Sequence, residues 1–159
     1  MAKFVIVETI LQSEVKTVRL GAGTGTSNNV DQKEVGKPVK LAGESRFDLC
    51  AAGDAIEAIV TSVEVATADG YSIGGVANEG YKAVTFDGLQ ATPGTGTLAI
   101  GDYVVAGTAV AKGTALSAPM KVCKATTKTG QYFAWRVVSL GSAGTGAVGT
   151  TGVIERVNH

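Results

Sequence analysis

The sequence predicts an all-β fold, a small β-sandwich or barrel of short antiparallel strands joined by glycine-rich turns, with an extended amino-terminal arm. Three observations predict it. Glycine is abundant, at 22 residues against 3 prolines, without a collagen-like period, which fits many tight reversals. Valine, isoleucine and threonine recur in short alternating runs. A helix is hard to place: the one stretch considered, "AAGDAIEAIVTSVE", carries a β-branched cluster and Gly53 near its start, both unfavourable to helix.

The elements follow in order. "KFVIVETI" sets Phe4, Ile6 and Glu8 against Val5, Val7 and Thr9. "EVKTVRL" sets Val15, Thr17 and Arg19 against Lys16, Val18 and Leu20, and is expected to be the more exposed of the two strands. "GAGTGTSNNVDQKEVGKP" has no periodicity and reads as a long loop or mobile arm, the kind of segment that often binds. The domain reading is therefore an arm over 1–35 and a β body over 36–159. In the body, "GKPVKLAG" is a short strand with its proline at the start. The run from Ala55 to Val65 is apolar on both faces, as a central strand would be. "ADGY" at 68–71 is expected to be a turn with Asp-Gly at its centre, and "GYKAVTFDG" a short strand with Asp-Gly at its end. "ATPGTGTLAIGDYVVAG" is a loop feeding a strand. "GQYFAWRVVSLG" is the strongest strand, with Phe133, Trp135 and Val137 on one side and Tyr132, Ala134, Arg136 and Val138 on the other. "VIERVN" closes the chain. A faint echo places Gly-Asp ahead of an apolar strand twice, at Gly53-Asp54 and Gly101-Asp102.

Composition bounds the function. The chain has 159 residues, enough for a real core. Fourteen basic residues balance fourteen acidic ones, which leaves no electrostatic drive toward nucleic acid. The apolar run Phe4–Val7 is too short for a signal peptide, and no stretch reaches membrane-spanning length. Nucleic acid and membrane are thus not expected partners, and synthesis in a host cytoplasm is expected. Cys50 and Cys123 could pair, but two half-buried reduced thiols are the favoured reading.

Catalytic and metal chemistry find little to work with. The one histidine is His159, the last residue of the sequence, so a catalytic triad would have to recruit a chain end, and such ends usually fray. Two distant cysteines give no zinc spacing. The glycine loops at 21–27 and 141–152 lack the Gly-Lys-Ser/Thr and the helix that a phosphate loop needs. Asn28, Asn29 and Asp31 lack calcium-loop spacing. Asp48, Asp54 and Glu57 cluster in sequence, while Glu44, Asp87 and Asp102 are scattered. A carboxylate pair is conceivable, but turn caps are the favoured role. No catalytic residue, metal ligand or cofactor is predicted. Tyr132 and Arg136 share the face of their strand opposite Trp135, which could be core or interface.

The runs "EVGKPVKLAGESRFDLCAAGDAIEAIVTSVEVATADGYSIGGVANEGYKAVTF" and "GTLAIGDYVVAG" resemble the capsid decoration, or cement, proteins of tailed bacteriophages. The likeness covers residues 34 to 140 and consists of turn-and-strand patterns. It implies a structural virion protein without enzymatic activity, bound to the outside of an assembled capsid. There it would tie together neighbouring copies of the major capsid protein, as a homo-oligomer, trimer or dimer. The contact residues expected on this reading are Phe4, Ile6, Ile10, Val15, Val18, Leu20, Asn28, Asn29, Tyr132 and Arg136. Removing residues 1–20 is expected to abolish capsid binding and leave the body folded. The alternative is a surface-displayed carbohydrate-binding or adhesin-like β module, which requires an exposed aromatic platform and hence an accessible Trp135.

Overall fold

A computed structural model describes residues 15–21, 30–43, 46–64, 72–126 and 133–157. Among them are eleven strands and a single 3-10 turn at Gln32–Glu34, with no α-helix. The all-β expectation holds. The strands form two sheets. Strands β1 (Val15–Leu20), β2 (Pro38–Gly43), β3 (Arg46–Leu49), β4 (Ala58–Glu64) and β5 (Ser72–Ala77) close a barrel in the order β1-β3-β2-β4-β5. The second sheet runs β10-β11-β6-β9-β8, with β7 (Thr92–Pro93) paired to β6. Its members are β6 (Tyr81–Leu89), β8 (Val104–Ala106), β9 (Lys121–Lys124), β10 (Trp135–Ser139) and β11 (Thr151–Arg156). A bridge between Tyr103 and Arg136 draws its two ends together. Not every pairing is antiparallel: β1 lies parallel to β3, and β6 parallel to β9.

Strand β4 explains why its sequence is apolar on both faces. Ala58, Val60 and Val63 point into the barrel core with Leu20, Val39 and Val76. Ile59 points the other way, into a larger core with Val84, Phe86, Val104, Val122, Trp135 and Ile154. The strand is a wall shared by two cores. It begins at Ala58 rather than Ala55, because the turn at Ala51–Asp54 and the bond from Glu57 N–H to Val39 C=O (3.0 Å) hold the preceding residues.

Three expectations are corrected. The boundary at residue 35 does not mark a break: β1 pairs with β5 along its whole length, from Val15↔Ala77 to Leu20↔Ser72. Deleting residues 1–20 would therefore remove a barrel strand. The second half of the expected mobile loop is fixed as well. Val30 is buried, Asp31 caps the 3-10 turn by accepting from Lys33 N–H (2.7 Å), and Glu34 and Lys37 are buried. Finally, Asp87-Gly88 lies inside β6, not at its end. Gly88 has φ +86 where the β6–β9 register shifts, and Thr95 carbonyl oxygen would sit 2.1 Å from any added Cβ. Only glycine fits that bulge. The expected first strand and the 68–71 turn lie outside the described residues.

Candidate interaction surface

One local device recurs, and it shapes the surface. At residues 34–37, 51–54, 92–95, 99–102 and 147–150, the fourth residue donates its N–H to the carbonyl of the first, at 3.1 to 3.2 Å. The third residue is a glycine with φ between +84 and +88. That is a type II turn, and Val35 has the matching second-position angles, φ −58 and ψ 133. Four of the five dock onto one strand residue by a reciprocal pair of backbone bonds. Gly36 N–H donates to Val60 C=O (2.8 Å), and Val60 N–H donates to Lys37 C=O (3.0 Å). Gly53 and Asp54 do the same with Ala106, Gly101 and Asp102 with Val137, and Gly149 and Thr150 with Phe86, at 2.8 to 2.9 Å. The fifth, at Gly94, donates to Asp87 C=O (2.7 Å) and receives Leu89 N–H at Thr95 C=O (2.9 Å).

The Gly-Asp echo is thus real as structure. Asp54 accepts from Ala51 N–H (2.7 Å) and pairs with Lys40 (2.6 Å); Asp102 accepts from Ala99 N–H (2.8 Å) and pairs with Lys124 (2.8 Å). A third copy, Ala147-Val148-Gly149-Thr150, replaces the aspartate with Thr150, whose hydroxyl donates to Ala147 C=O (2.7 Å). Ala51, Ala99 and Ala147 are equally spaced in the sequence. That spacing is the signal by which the third copy could have been found.

The acids are spent on such local work. Asp48 accepts from Leu49 N–H (2.9 Å). Asp87, buried on β6, accepts from Thr108 N–H (2.7 Å) and faces Lys121 Nζ at 3.7 Å. Burial pushes its carboxyl up, but the Thr108 bonds and the Lys121 charge outweigh burial and hold it below the usual carboxylate range. Lys40 is raised by its bond to Asp54. Both cysteines are buried and free. Burial, with Asp54 nearby, pushes the Cys50 thiol up to about 12; burial, with Asp87 nearby, pushes Cys123 to about 11. Neither is an activated nucleophile. Among the described residues no group of three or more His, Cys, Asp or Glu is placed to hold a metal ion.

A buried ion pair escaped the sequence reading. Glu34 and Lys37 are paired with almost no exposure. Lys37 Nζ also donates to Ala111 C=O (3.0 Å), and Glu34 accepts from Gly113 N–H. The pair fastens the 3-10 turn beside the barrel to the loop between β8 and β9. Its partners lie far along the chain, so only the Glu-x-x-Lys spacing was available as a clue. Beyond it, a cleft of about 520 Å³ between barrel and sheet is lined by Lys16, Phe47, Ile56, Glu57, Asn78 and Arg156. Arg156 Nη1 there donates to Glu57 C=O (2.8 Å).

The expected contact residues divide. Phe4, Ile6, Ile10, Asn28, Asn29 and Tyr132 lie outside the described residues. Val15 is exposed at the start of β1. Val18 packs against the barrel core, and Leu20 is 1% exposed within it. Leu20 is a core residue and leaves the contact set, because inward parity on β1 buries it. Arg136 is on the surface, where its Nε (2.8 Å) and Nη2 (2.6 Å) meet Glu155 Oε1 across the β10–β11 pair. Trp135 is fully buried, and Phe133 is half-buried beside Tyr103, ring centroids 6.5 Å apart. Exposed apolar side chains instead include Ile100, Val148 and Val35, each at the second position of a docked turn, together with Tyr81, Leu41 and Val15. Sequence reasoning named Val15 but missed Ile100, Val148 and Val35, because a turn's tip is not marked by periodicity.

No family model matches the chain, and no curated protein matches it.

Proposed function

We propose that this chain is a structural protein of a tailed-phage virion that binds the outer surface of the assembled capsid and stabilises contacts between major capsid subunits. The observation that carries the reading is the likeness of residues 34 to 140 to cement proteins. Three stretches of the two quoted runs fall on the parts that build the body. "GKPVKL" forms a docked turn and β2, "GDAIEAIVTSVE" a docked turn and β4, and "LAIGDYVVAG" a docked turn and β8. A β body in which Asp31, Asp48, Asp54 and Asp102 accept local backbone N–H bonds suits a protein whose product is a surface. The physical logic is mass action: a ligand that binds only the assembled shell stabilises that state, and symmetry repeats the gain.

Residues 1–14 precede the barrel strand β1 and are the remaining candidate for an arm that adds to a neighbouring sheet edge. The test is co-sedimentation with assembled capsids of a chain lacking residues 1–14, beside the full chain. Loss of binding with an unchanged unfolding transition supports the arm; full binding by the truncated chain places the contact on the body.

A further inference from the structure

The cleft between barrel and sheet is the open mouth of the barrel, and the side chains there break the barrel's own pattern. Residues two apart on a strand face the same way. On β1, Leu20 is buried in the barrel core and Val18 packs against it, so Lys16 continues the inward row. Lys16 pairs with Val76 on β5; Val76 is buried in the same core, and Asn78 follows it at the same parity. Two inward apolar rows thus end in a lysine and an asparagine. Both line the cleft of about 520 Å³, together with Phe47, Ala58 and Val76 from the barrel interior.

From the second sheet, Arg156 enters the same cleft. Its Nη1 is tied to Glu57 C=O at 2.8 Å, which orients the guanidinium. Lys40, Lys124 and Arg136 each meet a carboxylate, whereas among the described residues neither Lys16 nor Arg156 forms an ion pair. Glu57 is the one acid in the lining; it is exposed, and it offers Arg156 its backbone carbonyl. The lining therefore carries two unpaired cations against one solvated acid. Asn78 adds a second signal: its Oδ1 is buried, and no donor among the described residues reaches it. An unmet buried acceptor is costly, and a ligand N–H or O–H removes that cost.

We propose that the barrel mouth binds a small organic carboxylate that also carries an N–H or O–H donor and an apolar body. The carboxylate lies between Lys16 and Arg156, where charge-assisted bonds are strong and one partner is already oriented. The donor meets Asn78 Oδ1, and the apolar body covers Phe47 and Val76. The cleft's volume falls within the roughly 300–1,000 Å³ of small-molecule sites, for which barrel mouths are a preferred place. The inference stands independently of the capsid reading.

The test is an NMR titration of the isotope-labelled full chain with N-acetyl-phenylalanine, beside N-acetyl-phenylalaninamide, which keeps the donor and the ring but lacks the charge. The acid is expected to give saturating shifts at Lys16, Phe47, Asn78 and Arg156 in the millimolar range, and the amide to bind at least about tenfold more weakly. Lys16→Gln, at an exposed position, should weaken the acid about tenfold and leave the amide unchanged. Asn78→Asp, which sets a like charge at the mouth, should abolish binding of the acid. Lys33→Gln, exposed on the 3-10 turn, should change neither. Should a variant unfold, raised salt makes the same distinction on the wild-type chain: screening should weaken the acid and spare the amide. Equal binding of acid and amide, saturating shifts clustered away from the cleft, or acid binding indifferent to both Lys16→Gln and salt overturns the proposal. So does the absence of shifts with the acid up to its solubility.

Discussion

Asp87 is the most informative single residue. Its carboxylate is buried on β6, holds Thr108 N–H and faces Lys121. Its folded pKa is depressed, so the unfolded chain binds its proton more readily. The stability it contributes is therefore present above the unfolded carboxylate range and is lost as pH falls through the folded value. Asp87→Asn should lower stability at neutral pH and flatten the acid limb of a stability-against-pH curve measured by urea unfolding. The cysteines shift in the opposite sense. With folded values near 12 and 11, both stay protonated well above the usual thiol range. The native chain should resist a disulfide-exchange thiol reagent at pH 8, and the urea-unfolded chain should release two thiols at once. Rapid native labelling would contradict the burial. The residue scale is also where the sequence was least legible. It named Leu20 as a contact and read Glu34 and Lys37 as loop, because burial there depends on partners many residues away.

At the scale of elements, strand positions were legible because alternation records which face is buried. β2 and β10 fall within the expected runs, β6 runs one residue past its own and β11 starts two residues before its own, and the two-faced apolar run marks β4 as the wall between cores. The docked turns were only half legible. Their specificity lies in backbone bonds and in a glycine with positive φ, so the sequence shows two Gly-Asp copies and hides the third behind Thr150. Two substitutions separate the terms. At Gly101, φ is +88 and nothing lies within 4 Å of an added Cβ, so Gly101→Ala should cost about 1–2 kcal/mol from the left-handed conformation alone. At Gly146 the conformation is ordinary but Leu98 carbonyl oxygen blocks the Cβ. Gly146→Ala should therefore cost more than Gly101→Ala. Denaturant unfolding at constant m-value checks the order, and the reverse order would contradict the packing of 97–98 on 146–147.

The whole molecule is two β units fastened together. Ile59 from the barrel enters the core of the second sheet, Gly53 and Asp54 bond Ala106, and the Glu34–Lys37 pair grips Ala111 and Gly113. Removing one member of a buried pair strands the other. Glu34→Ala should cost about 3–5 kcal/mol, while replacing both with apolar residues of similar volume should restore most of the loss. Fluorescence of the buried Trp135 and far-ultraviolet dichroism should melt together if the units unfold as one; separate transitions would show that the fastening is weak. The proposed role on a capsid belongs to this scale, and one measurement tests it most directly: co-sedimentation of the purified chain with assembled capsids, followed by heating. Saturable binding at a fixed ratio to the major capsid protein, with a raised capsid melting temperature, is the predicted result. A chain that stays in the supernatant at every concentration, with capsid melting unchanged, contradicts it.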